Sequence, residues 1–304
     1  MEYRTLGKTG ERVSAIAIGG AHAARPTDRA ETMRIIRTAI DSGITFMDNC
    51  WDYSGGDAEV RMGEALRDGY RERVFLMTKI DGHTAVVAAA QIDQCLQRLQ
   101  TDRIDLIQIH EVIRMDDPEM VFAPGGTMEA LLAARQAGKL RYIGFTGHKD
   151  PDIHLKMLNA GFDWDTVQLP LNCVDRHHRS FEERVMPVLV ERRIGVLGMK
   201  PLAAGDAVKS GAATADECLR YAMSLPTSTV ITGCDTMAIT EQAIRVWRDF
   251  TPMSAEEMDA LRARTAAHAQ GGVLEGYKVS ERFDGTTKNP HWLTTASVTA
   301  EAAD

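Results

Sequence analysis

From residue 15 to residue 231 the chain alternates, eight times over, a short aliphatic or β-branched run with a longer stretch of helical apolar spacing. No other feature constrains its fold as tightly. The runs, at 15–18, 45–47, 74–77, 104–109, 142–145, 166–169, 194–197 and 229–231, read as buried strands bounded by Gly and polar residues. Between them Met33, Ile36 and Ile40, and again Ile92, Cys95, Leu96 and Leu99, recur at spacings that place them on one face of a helix. Boundary residues agree with this register. Asp28 with Glu31, Thr214 with Glu217 and Ser254 with Glu257 fit capping pairs at helix starts, while Gly43, Gly69, Gly138 and Gly161 fall where helices should stop. Eight β-then-α units without a long linker favour a closed (β/α)8 TIM barrel, one domain over residues 1–304, rather than an open doubly wound sheet. An open sheet binding a dinucleotide would usually carry G-x-G-x-x-G after its first strand, and here that strand runs into Ile18-Gly19-Gly20-Ala21-His22. Residues 1–14 read as a β-hairpin around the Gly7-Lys8-Thr9-Gly10 turn, and residues from about 270 to 304 as an irregular tail that Trp292 pins to the body.

Charge and composition exclude several classes of function. A net charge of −8, with no run of Lys or Arg, argues against nucleic acid or an anionic membrane as partner. No apolar run approaches the ~20 residues that cross a bilayer, and the amino terminus lacks a signal pattern, so a cytoplasmic protein is expected. The five cysteines are scattered without C-x-x-C spacing, which points to reduced thiols and to no metal site.

In a barrel of this kind, chemistry is done by side chains at the carboxyl ends of the strands. Asp48 follows the second run, Tyr53 lies on the Gly-rich loop after it, Lys79 ends the third and His110 the fourth. Together they form a proton-transfer set. An ammonium lowers the pKa of a neighbouring phenol, a carboxylate keeps that ammonium charged, and Tyr53 is expected to exchange a proton with a carbonyl or alkoxide oxygen that His110 also bonds.

Asp48, Tyr53, Gly55 and Glu59, with Lys79 and His110 in strand context, resemble the aldo-keto reductase superfamily, and the likeness runs along nearly the whole chain. The resemblance implies metal-free hydride transfer between a nicotinamide and a small-molecule aldehyde, ketone or alcohol, with NADP(H) the first expectation and NAD(H) the second. It also implies cofactor contacts from Gly20, Thr146, Gln168, Met199, Lys200, Leu202, Gly233 and Gln242. The fit is weaker here. Gly147 stands where relatives carry an asparagine amide, Met199 where many place an aromatic ring, and Gly233 and Ile239 where a Lys and an Arg meet the adenosine phosphate. Asp52, Glu111, His148, His177 and His178 are expected to be loop polar groups or lining. Two other readings are a cofactor-sensing regulatory subunit, and a metal-dependent isomerase or hydrolase on Asp48, His110, Glu111 and His148. The cation of Lys79 counts against the second.

Overall fold

The structure, a computed structural model, describes residues 1–294; the end of the expected tail, 295–304, lies outside the described residues. A hairpin of β1 (Tyr3–Thr5) and β2 (Arg12–Ser14) precedes eight strands, β3 (Ile16–Gly19), β4 (Phe46–Asp48), β5 (Phe75–Ile80), β6 (Ile104–Ile109), β7 (Leu140–Thr146), β8 (Thr166–Pro170), β9 (Gly195–Met199) and β10 (Thr229–Gly233). The eight are parallel and pair in chain order. β10 closes on β3 with Gly233 beside Gly19, so the expected barrel is present and its sheet has no edge.

Strand parity decides what fills it. Ala17, Phe46, Phe75, Met77, Leu106, Leu197 and Ile231 point inward and form one apolar layer, in which Phe46 and Phe75 stack at 5.2 Å and Phe75 and Tyr142 at 6.0 Å. The alternate residues, among them Ile18, Met47, Leu76, Ile107, Phe145, Val167 and Val196, pack outward against the helices. Both faces are therefore covered, which is why the strands read as continuous apolar runs. The helices are bounded largely as expected. Thr214 and Ser254 form full capping boxes, Asp28 caps the Ala30 amide without a reciprocal bond from Glu31, and Gly43, Gly69, Gly138 and Gly161 turn left-handed.

The hairpin plugs the amino-terminal end of the barrel, with Leu6 and Val13 joining the inner layer. Its turn lies so close to β9 that Gly7, at φ +54, has no room for a side chain: a Cβ there would stand 2.7 Å from the Arg193 carbonyl oxygen and nearer still to the Gly195 amide. Gly7→Ala is expected to destabilise the protein by about 2–4 kcal/mol, through overpacking against backbone and a left-handed conformation that alanine resists. A urea unfolding midpoint equal to that of the parent would show that the hairpin does not bear on the barrel.

Candidate active site

Continuing each inward row by two residues leads out of the apolar layer and into the carboxyl-terminal mouth. Phe46 leads to Asp48, Met77 to Lys79, Leu106 through Gln108 to His110, Tyr142 through Gly144 to Thr146, Thr166 to Gln168, and Leu197 to Met199. The residues expected from the sequence thus arrive on one rim because they share a parity with the core beneath them.

Lys79 is the centre. Its Nζ, 1% exposed, donates to Asp48 Oδ1 at 2.5 Å, to the Asn49 carbonyl at 2.7 Å and to the Tyr53 hydroxyl oxygen at 3.3 Å. The Tyr53 ring meets His110 edge-on at 5.9 Å. Tyr53 is carried by a turn in which Ser54, Gly55 and Gly56 are all left-handed, a conformation that favours glycine at the last two positions. The turn is braced from behind. Glu59, fully buried, accepts from Thr78 Oγ1 at 2.5 Å and lies 3.6 Å from Arg98, which donates to the Trp51 carbonyl at 2.9 Å.

One expectation is corrected. Lys79 was expected to lower the Tyr53 pKa; burial, and after it the charges of Asp48, Cys50, Asp52 and Glu111, instead push the phenol well above its ordinary value. Burial is the larger cause, and three carboxylates add to it against a cation that Asp48 already pairs. At neutral pH Tyr53 is therefore a protonated phenol.

His110 Nδ1 lies 2.9 Å from Asp81 Oδ1, 3.7 Å from Asp52 Oδ1 and 3.2 Å from Cys50 Sγ. Burial alone would lower its pKa, but Asp81 and Asp52 raise it to about 9. The four residues bring one donor atom each within 4.8 Å of one another. The cluster carries its own cation in His110, and we assign no metal ion to it. Sequence reasoning passed over Asp81 and took Asp52 for a loop polar group. The missed signal was parity, since Asp81 follows Phe75, Met77 and Lys79 at the same two-residue step.

The expected cofactor positions divide. Gln168 is 2% exposed and its Oε1 has no hydrogen-bond partner, an orphan acceptor on the rim that suits a carboxamide N–H. Among the described residues Thr146 Oγ1 has only Met199 Sδ, at 3.9 Å. Lys200, at φ +53, extends its Nζ over the rings of Tyr277 at 5.2 Å and Phe283 at 5.9 Å; burial lowers its pKa to about 8. Leu202 is half-buried in the following turn, where Ala203 and Ala204 are also left-handed. Gly20 opens the helical turn Gly20–Ala23 against Asn49, and Gly233 lies against the His22 ring. Gln242 donates to Asp216 at 2.6 Å, and Arg245 pairs with the same carboxylate at 2.8 Å. Asp235 faces Arg25 at 3.6 Å and His22 at 4.0 Å, two residues near the β10 end to which sequence reasoning gave no role. Asn172, whose spacing from Gln168 resembles the family's, is occupied: its amide donates to Tyr277 Oη at 3.0 Å, Glu275 Oε1 at 3.2 Å and the Lys200 carbonyl at 3.3 Å.

The tail folds over the mouth. Glu111 accepts from the Gly285 amide at 2.9 Å and from the Thr286 amide and hydroxyl at 2.7 and 2.8 Å, and His148 pairs with Asp284 at 3.2 Å. Trp292 meets Trp51 edge-on at 5.7 Å, pinning the tail as expected. Asp48, His110, Glu111 and His148, the set a metal-dependent chemistry would need, thus turn to separate partners. His177 bonds the Arg262 carbonyl at 3.1 Å.

A family model described as the aldo/keto reductase family matches residues 15–217. Among curated proteins, the aldo-keto reductase YhdN of Bacillus subtilis is 30% identical over 212 residues, covering 65% of this chain and 61% of its own. The L-glyceraldehyde 3-phosphate reductase of Escherichia coli O157:H7 is 28% identical over 229 residues, covering 67% and 62%. This chain spans about three fifths of the length of these two relatives. Among solved structures, an aldo-keto reductase from Bacillus halodurans in its holo form superimposes with a TM-score of 0.74 at 22% identity, over 87% of this chain and 96% of that one, a likeness of fold. Among the described residues no helix is long and apolar enough to cross a membrane.

Glu111→Ala would remove the acceptor of three charge-assisted bonds to the tail, each worth about 1.5–3 kcal/mol. Hydrogen exchange at the Thr286 amide is expected to accelerate at least tenfold, with exchange of the β5 and β6 amides unchanged. Parental protection at Thr286 would mean the tail is held by other contacts.

Proposed function

We propose that this chain, which belongs to the aldo/keto reductase family, reduces a small aldehyde or ketone to the alcohol, or runs the reverse, as an oxidoreductase. The observation that carries this reading is the buried Lys79 ammonium bridging the Asp48 carboxylate and the Tyr53 hydroxyl at the mouth of the barrel. A bound nicotinamide would supply the hydride. Gln168, through its unpartnered Oε1, and Thr146 are the residues here suited to hold its carboxamide.

The chain's own groups would then manage charge on the oxygen. Hydride arriving at the carbonyl carbon leaves a pair of electrons on oxygen, which must take a proton. Tyr53 is the donor in this reading, held by Lys79, while Asp48 compensates the ammonium. A phenol kept protonated by burial is in the form that reduction requires, and oxidation of the alcohol would start from the less accessible phenolate. The tail, lying over Glu111 and His148, excludes water from the same space.

Tyr53→Phe is expected to lower kcat on a panel of carbonyl substrates by roughly 10²–10⁴-fold, the usual worth of general acid catalysis, with the nicotinamide Kd nearly unchanged. Near-parental turnover would refute Tyr53 as donor. For the nicotinamide, NADP(H) is the first choice by family. At the β10 end Arg25 offsets the repulsion Asp235 would exert on a 2′-phosphate, but it stays 58% exposed, burial lowers the pKa of His22 so that this ring adds no charge at neutral pH, and Arg245 is engaged by Asp216. The preference over NAD(H) should therefore stay well below about a thousandfold, since no buried bidentate guanidinium is at hand. Titration of both at one ionic strength checks this, and a larger ratio would refute it.

A further inference from the structure

The orientation and charge of His110 are set by a residue that the Asp48, Tyr53, Lys79 and His110 set does not contain. Asp81 is fully buried just past the carboxyl end of β5, and its Oδ1 lies 2.9 Å from His110 Nδ1. A proton lies between the two atoms at that separation, and with burial raising Asp81 only to about 6 while His110 is raised to about 9, it belongs to Nδ1. Asp81 Oδ2 has no hydrogen-bond partner, so the carboxylate is otherwise uncompensated apart from the His110 charge. The Asp81 and Gly82 amides both donate to Gln91 Oε1, at 2.9 and 2.8 Å, which pins the backbone that carries the carboxylate. On the far side of the ring, Nε2 makes no hydrogen bond to any of the described residues, and His110 keeps 8% of its surface exposed. Nδ1 and Nε2 diverge across the imidazole, so fastening one aims the other.

We propose that Asp81 is the positioning residue of His110: its carboxylate accepts a hydrogen bond from Nδ1–H, holding the imidazole as a cation whose Nε2–H is turned into the barrel mouth toward the oxygen of a bound carbonyl. This rests on the carbonyl-reductase reading of the site. The dyad makes His110 a charged hydrogen-bond donor and leaves the proton transfer itself to Tyr53. Charge developing on the substrate oxygen would meet a cation already fixed in place, without reorganisation.

The groups around His110 account for the sign of its titration. Asp81 comes from the end of β5, Asp52 and Cys50 from the loop after β4, and Glu111 is the chain neighbour, while Asp48, with Lys79 beside it, lies across the mouth. Burial works against the charged form and the carboxylates for it, with a net rise to about 9. The ring is thus cationic at neutral pH and loses its charge as pH rises through that value.

The test uses the full-length protein. Long-range 1H–15N spectra, with His110 assigned through His110→Gln, should show both ring nitrogens protonated at pH 7 and a titration near pH 9. Asp81→Asn should bring that titration down by about two units or more, toward or below the ordinary histidine value of about 6.5. It should also lower kcat at pH 8 about tenfold or more, and move the alkaline limb of the kcat profile down with the NMR pKa. Asp81→Glu should restore part of both. Asp52→Asn, at 3.7 Å, should shift the titration less. A parental His110 titrating at or below about 6.5 would overturn the proposal, as would an Asp81→Asn protein with an unmoved titration. Turnover that collapses on dialysis against a chelator and returns with zinc would also overturn it, because a metal would then hold Nδ1. If no carbonyl is turned over by the parent, the functional reading fails while the NMR arm still decides the dyad.

Discussion

Everything at the mouth of this barrel follows from placing an ammonium where water does not reach it. Removing Lys79 from solvent would cost several kcal/mol if its charge were left alone. The structure answers with Asp48, one strand away, with the Asn49 carbonyl, and with the Tyr53 hydroxyl as third acceptor. Those acceptors fix the β4 end and the turn that follows it. Glu59 and Arg98 then brace that turn from the helical side. The geometry of the candidate site and the solution to charge burial are here the same arrangement.

Three buried or half-buried lysines show how differently one charge can be used. Lys278 lies between Asp175 at 2.7 Å and Glu275 at 2.5 Å, and its Nζ also donates to the His178 carbonyl, so it rivets the tail to the loop after β8. Lys79 shares one carboxylate with a phenol. Lys200 has aromatic faces and a thioether, and burial draws its pKa down to about 8. Moving from the tail toward the rim, the direct pairing of these ammonium groups with carboxylates thins out, from two at Lys278 to one at Lys79 and none at Lys200.

The tail belongs to this electrostatic system as well as to the packing. Asp284 meets His148 and Lys149, and Glu111 receives the amides of Gly285 and Thr286. Polar residues that looked bland along the chain, Glu111 and His148 among them, are anchors for a segment more than a hundred residues away. Its aromatic rings take part as well, Trp292 meeting Trp51 edge-on and Phe283 lying under the Lys200 ammonium.

The amino-acid sequence determined the barrel, because eight short continuous apolar runs, with apolar spacings of three to four between them, leave few ways to bury both faces of every strand. It also determined the polar rim of the mouth, since Asp48, Lys79 and His110 follow from strand ends and chain order. Tyr53 was legible from its Gly-rich loop. What it could not determine were the quantities that depend on neighbours remote in the chain: that Tyr53 is raised rather than lowered, that Asn172 is consumed by Glu275 and Tyr277, and that Arg25 stands by Asp235. Asp81 was within reach of parity alone, yet its role needed His110 brought beside it from the next strand. Periodicity is a local property that survives in one dimension, whereas desolvation and charge coupling depend on every atom within several ångströms, and only tertiary structure decides which atoms those are.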